Sequence, residues 1–257
     1  MAYSTIPKGS LYMNTKLYTG NGSTNAQTGV GFQPDFTWIK ARSNAENHNL
    51  FDAVRGATKR IRSNGTEAED TRTTSLTAFG SDGFTLGSGS QVNTNGWTFA
   101  AWNWLANGAG SANTDGSISS TVSANTTSGF SIVSYTGNAT SGATVGHGLG
   151  STPKMIIFKD RSNVNGWHTY HSSFANATDL LLLDTTGALY TANYYINNTR
   201  PTSSVFSLGN GAGNNGSSAN YIAYCFSDVQ GFSKFGSYTG NGNADGTFVY
   251  TGFKPAM

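Results

Sequence analysis

Phe99-Ala100-Ala101-Trp102-Asn103-Trp104 and, 122 residues further on, Tyr221-Ile222-Ala223-Tyr224-Cys225-Phe226 are the stretches on which the fold turns. Side chains along a strand point alternately to its two faces. Phe99 and Ala101, like Tyr221 and Ala223, point one way; Trp102 and Trp104, like Tyr224 and Phe226, point the other. Both sets are apolar. A strand apolar on both faces is buried on both faces. Each block is therefore expected at the centre of a sheet, with a loop, a helix or another subunit over its second face.

The paired blocks belong to a longer series. Tyr18-Thr19-Gly20-Asn21 recurs as Tyr135-Thr136-Gly137-Asn138 and as Tyr238-Thr239-Gly240-Asn241. Each copy leads to a Gly-apolar element and a proline, Pro34, Pro153 or Pro255. After the first two prolines comes an apolar strand ending in Lys40 or Lys159, followed by Arg42 or Arg161; both pairs stand 119 residues apart. Gly83-Phe84-Thr85-Leu86-Gly87 matches Val205-Phe206-Ser207-Leu208-Gly209. Self-similarity in one order along the chain is the signature of repeated structural units. Residues 17–105 are expected to form a first β unit, 106–128 a Gly/Ser/Asn-rich joint, and 129–234 a second unit. Residues 235–257 open a third unit or lend a strand elsewhere, and an unforeseen contact between units is expected there. The blocks are short, rich in aromatic and β-branched residues, and bounded by Gly and Asn. That pattern predicts an all-β fold of tandem β-sandwich or jelly-roll domains. A helix is expected only near Leu50–Arg62, and Leu180–Leu183 is expected to be a buried strand.

Composition agrees. Gly, Ser, Thr and Asn make up almost half the chain, and only 11% of residues are charged. Hydroxyl and amide side chains must then solvate the surface, which suits turns and outer strand faces. Aromatic residues at 12% argue against disorder. A net charge of +2 offers no basis for binding nucleic acid or an anionic membrane. The one basic run, Arg55, Lys59, Arg60 and Arg62 followed by Glu67, Glu69 and Asp70, is expected to be a solvated, self-neutralising helix or loop. The single cysteine, Cys225, is expected to be buried and inert. No run is long and apolar enough for membrane insertion, and Met1–Ser10 lacks the apolar centre of a signal peptide. Synthesis in a cytoplasm is expected, with release by lysis or within a particle.

Catalytic chemistry is not legible. His168 and His171 fall on opposite faces of a strand, and at the repeat offset they correspond to Asn49 and Asp52, so the two units do not share them. The acids are scattered, with no pair marked for glycoside hydrolysis. No Cys/His metal spacing or phosphate loop occurs. No catalytic residue, metal or cofactor is therefore expected, and the chain is not expected to be an enzyme. The best binding candidates are the rings of Trp167, His168, Tyr170, Tyr190, Tyr194 and Tyr195 in the most Asn/Tyr-rich part of the second unit. Exposed, they would stack on the apolar faces of a sugar; buried, they would be core or subunit interface.

Gly31-Phe32-Gln33-Pro34-Asp35-Phe36-Thr37-Trp38-Ile39-Lys40, Val54-Arg55-Gly56-Ala57-Thr58-Lys59, Ser81-Asp82-Gly83-Phe84 and Gly146-His147-Gly148-Leu149-Gly150 carry a resemblance. With the Tyr-Thr-Gly-Asn copies, they resemble a family of tandem-repeat, virion-associated proteins in phages of marine bacteria, cyanophages and pelagiphages. The resemblance spans nearly the whole chain. It implies lectin-like sandwiches in a fibre of tail or head, or in a surface decoration, and so localisation to the virion. The implied partners are other virion proteins and further copies of the chain, a trimer being favoured, with a host-surface glycan in an attachment role. Residues 1–16 are then expected to be the anchoring segment. Two other functions stay open: a carbohydrate-binding receptor module, and a polysaccharide-degrading tailspike with paired carboxylates.

Overall fold

The computed structural model describes residues 4–255 and is all-β. The first half contains β1 (Met13–Thr19), β2 (Asn25–Thr28), β3 (Phe36–Ala41), β4 (Asn49–Asp52), β5 (Lys59–Arg62), β6 (Asp70–Thr71), β7 (Leu76–Gly80), β8 (Gly83–Leu86), one helical turn α1 (Ser90–Asn93), and β9 (Thr98–Trp104). The second half contains β10 (Ser111–Asn113), β11 (Ser120–Asn125), β12 (Phe130–Thr136), β13 (Ala143–Gly146), β14 (Met155–Asp160), β15 (Trp167–His171), β16 (Asp179–Leu182), β17 (Tyr190–Thr191), a turn α2 (Asn193–Ile196), β18 (Val205–Leu208), a turn α3 (Ala212–Asn215), and β19 (Asn220–Phe226). One large sheet runs β1-β9-β3-β4-β5-β6; the other runs β10-β11-β12-β19-β14-β15-β16-β17. From β12 onward the second has the strand order of the first. Small sheets, β2-β8-β7 and β13-β18, complete the two halves.

The sheets stack in four layers with three apolar fillings. Tyr18, Ile39, Phe51, Phe99 and Ala101 pack with Leu76, Phe84 and Leu86 between the first large and small sheets. Tyr135, Phe158, Tyr221 and Ala223 do the same with Val145, Phe206 and Leu208 in the second half. A third cluster joins Phe36, Leu50 and Ile61 to Phe130, Ile132, Ile157, Trp167, Ile222 and Tyr224. The two large sheets therefore lie face to face. The second apolar face of β9 and of β19 is turned toward the other half of the same chain, not toward a separate subunit.

The Tyr-Thr-Gly-Asn motif docks the start of each half onto the helical turn before its last strand. Tyr18 Oη donates to Val92 O and Tyr135 Oη to Asn214 O, both at 2.7 Å. A Cβ on Gly20 would lie 2.2 Å from Thr94 O, and one on Gly137 2.4 Å from Gly216 O, so only glycine permits the approach. Asn21 N donates to Asn93 Oδ1 and Asn138 N to Asn215 Oδ1. Asn93 and Asn215 are fully buried, and each also donates to a glycine carbonyl, of Gly87 and Gly209. Among residues 236–255 no strand forms, and Tyr238, the third copy of the motif tyrosine, is 72% exposed.

A buried polar seam fastens the halves. Asp52 accepts from Arg55 Nε and, at 2.7 Å, from Tyr224 Oη of the other half. Arg55 Nη1 reaches Glu69 Oε2 at 3.2 Å, and Arg161 grips both Glu69 oxygens at 2.9 and 3.0 Å. The loop between β5 and β6 lies over the second half: Thr66 O accepts from Asn165 N and Lys159 Nζ, and Trp167 Nε1 donates to Arg62 O and Gly65 O. Burial would raise the Glu69 carboxyl; hydrogen bonds from Arg161 and the charges of Arg55 and Arg161 outweigh it and leave it below its ordinary value. Burial likewise pulls Lys159 down to about 8.

Three expectations need correction. Leu50–Arg62 is two strands, β4 and β5, joined by a turn in which Gly56 takes φ +100°. The basic run is self-neutralised but not solvated, since Arg55 and Arg60 are buried and Arg60 pairs with Asp70 across β5–β6. In Leu180–Leu183 only Leu180 is buried, and Leu183 is 41% exposed beyond the end of β16. The expected anchoring segment, 1–16, lies partly outside the described residues, and β1 starts within it at Met13.

Removing one partner of a buried pair strands the others. Glu69→Gln is expected to lower the unfolding free energy by about 3 kcal/mol. Glu67→Gln, at the half-exposed Arg62 pair, should cost under about 1 kcal/mol. A carboxyl held low in the fold stabilises above its unfolded value, near 4.5, and loses that contribution as pH falls through its folded value. Urea unfolding of both variants from pH 7 to pH 3 checks this: the gap between wild type and Glu69→Gln should narrow on the acid side.

Candidate functional site

The large sheets enclose an open cleft of about 1050 Å³. Trp38, Trp102 and Trp104 line it from the first sheet, and Met155, Ile157 and Phe226 from the second. Register explains the grouping. Trp38 stands opposite Trp102 across β3 and β9, and Phe36 stands opposite Trp104. Alternation turns all four to one face. Phe36 and Trp104 have ring centroids 5.2 Å apart. Trp38 Nε1 donates to His48 Nδ1 at 2.7 Å, which fixes the imidazole ring beside the indole. The mouth is bordered by the C-terminal segment, where Phe232 lies against Tyr12 and Phe235 against Phe226. No Asp or Glu is among the lining residues.

The six expected binding residues divide. Trp167 is fully buried in the layer between the large sheets, and Tyr170 is core of the second half. Neither can stack on a sugar. His168 is 5% exposed and lies against Tyr195 with ring centroids 4.1 Å apart. Tyr190 and Tyr194 flank Tyr195, at 6.3 and 4.6 Å, and Tyr194 is 46% exposed. The expected surface thus reduces to a small tyrosine cluster with His168 behind it. His168 fits only because residue 213 is glycine, whose Cβ would lie 2.2 Å from His168 Cε1. At the repeat offsets the first half has Asn49 and Gln91 instead. His171 lies on the other face of β15, near Phe174 and Phe235.

The remaining candidates are placed in the interior. Cys225 is buried, and burial pushes its thiol up to about 12, far from a reactive thiolate. Among the described residues no three His, Cys, Asp or Glu side chains gather as a metal site. No helix among them is long and apolar enough to cross a membrane. Sequence reading missed Trp38, Trp102, Trp104 and His48. The signal was present in the shared face of Trp102 and Trp104, but the same pattern marks a closed core.

Comparison with known proteins gives one match: a family model described as a domain of unknown function covers residues 8–257. No curated protein and no solved structure matches.

Burial pulls the His168 imidazole down to about 4, from an ordinary 6.5. A histidine depressed in the fold favours the folded state above its unfolded value, and that contribution fades as pH falls toward the folded one. His168→Asn, which installs the residue of the first half, should therefore weaken the loss of stability between pH 6.5 and pH 4. The full effect is on the order of 3 kcal/mol. Urea midpoints of wild type and variant across that window measure it; parallel curves would contradict the assignment.

Proposed function

The chain belongs to this family, DUF7483, and we propose that it is a structural protein of a bacteriophage particle, a section of tail or head fibre or a surface decoration. In this reading it is a tandem repeat of one lectin-like sandwich, assembled as a homotrimer with other virion proteins, and it catalyses nothing. The resemblance of the sequence to virion-associated repeat proteins suggests the particle. The observation that carries the scaffold role is where the ionisable side chains go. Asp52, Arg55, Glu69, Lys159 and Arg161 converge on the seam between the halves, and no carboxylate lines the cleft. A hydrolytic enzyme presents paired carboxylates or a nucleophile with its base to a cleft; here the buried ion pairs join the two halves.

The same distribution suits life on a particle. Exposed ion pairs weaken as salt rises, whereas buried ones are screened little. A body whose halves are joined by buried ion pairs keeps that cohesion across a wide range of ionic strength. The polysaccharide-degrading alternative needs two carboxylates about 5 to 9.5 Å apart across a cleft, and the lining residues offer none.

Mass spectrometry of purified infectious particles is expected to detect the chain in a fixed ratio to the major capsid protein, with an antiserum labelling fibres or head surface. Its absence from such particles would overturn the proposal. Light scattering of the purified protein should give three times the chain mass of 27.0 kDa; a monomer at all concentrations would remove the trimer.

A further inference from the structure

We propose that the cleft between the large sheets is a binding groove for a pyranose oligosaccharide, with Trp102 as its central platform. This goes beyond the scaffold role and does not depend on it. The argument starts from Trp102. It is half-buried, lines the cleft, and belongs to none of the three apolar clusters of described residues. Its counterpart 122 residues later, Tyr224, is 1% exposed and holds the seam through Asp52. Both border the cleft, but the same strand position fastens the halves through a hydroxyl in one sheet and leaves a partly exposed indole in the other.

The surroundings specify a ligand chemistry. Trp38 and Trp102 form one aromatic row, and Phe36 and Trp104 form the next. Among the described residues none accepts from the indole N–H of Trp102 or Trp104, and neither nitrogen is sealed from solvent. His48 accepts the Trp38 N–H hydrogen bond on Nδ1, so its neutral tautomer carries a hydrogen on Nε2, a third donor. Lys254 adds a fourth at the rim. Apart from the hydroxyls of Ser10 and Thr15, the unengaged polar side-chain groups of the lining are all donors, and no carboxylate competes for them. The groove therefore wants a ligand with apolar faces and many acceptor oxygens. A pyranose ring has both: C–H faces that lie on indoles, and hydroxyl and ring oxygens around its edge. A hydrocarbon chain would leave the donors unmet, and a peptide would bring N–H groups with few acceptors to receive them. A volume of about 1050 Å³ is at the upper limit of small-molecule sites, which suits several linked rings.

The test uses the purified full-length protein on a printed array of neutral and uronate oligosaccharides, with titration calorimetry of the strongest binder. Binding to at least one pyranose series is expected. Trp102→Ala should weaken it by about tenfold or more, the scale of losing an aromatic anchor. Trp102→Phe, which keeps a ring but loses the N–H, should fall between, and Tyr194→Ala, outside the cleft, should bind as wild type. Near-ultraviolet dichroism and unfolding curves establish that each variant is folded. Failure to bind any array glycan would overturn the proposal, as would undiminished binding by folded Trp102→Ala. So would sedimentation showing that wild type self-associates and Trp102→Ala does not, which would make the cleft an interface between copies.

Discussion

Glu69 answers two arginines, one from each half of the chain, and the relation between the halves depends on it. Arg55 belongs to the first half and Arg161 to the second, and the carboxylate between them is 12% exposed. Three charges in so dry a place would be costly unless each were met by hydrogen bonds. They are met: Arg55 also serves Asp52, Leu50 O and Lys59 O, and Arg161 also serves Ser134. Such a network contributes less to net stability than to register. It admits one placement of the two large sheets, because any sliding leaves a buried charge unpaired.

That placement settles what the apolar second faces are for. Ile61, Ile132 and Ile222 lie in a closed layer between the sheets. Trp38 and Trp102 lie on the same face of the first sheet, but they border an opening. Closed layer and cleft are two regions of one interface. The interface closes where the polar seam draws the halves together and stays open beside Trp38 and Trp102. A scaffold role and a binding role can therefore share a single architecture, the first residing in the seam and the second in the gap.

The candidate site was legible only in part, and the reason lies in particular rings. Trp167 and Trp102 look alike in sequence, each an indole in a short strand-like block. Trp167 is fully buried because a loop from the first half, through Arg62 O and Gly65 O, closes over its N–H. Trp102 is only partly buried, and its N–H meets no acceptor among the described residues. Which indole is covered depends on residues more than a hundred positions away for Trp167, and no local pattern reports that. Tyr170 and the tyrosine cluster around Tyr195 divide for the same reason, one under a sheet and the others at its rim.

The sequence by itself determined the strands and much of their order. Alternation sorts the side chains of β9 and β19 into two faces, and the recurring blocks mark matching positions along the chain. These are local requirements of backbone geometry, and they act within a few residues. Only the tertiary structure decided what covers the second face of each large sheet, that the basic run is buried between the halves, and that one tryptophan is core while another lines a groove. Those outcomes rest on contacts between residues some ninety or more positions apart, where burial and hydrogen-bond partners are properties of the assembled layers and not of any segment.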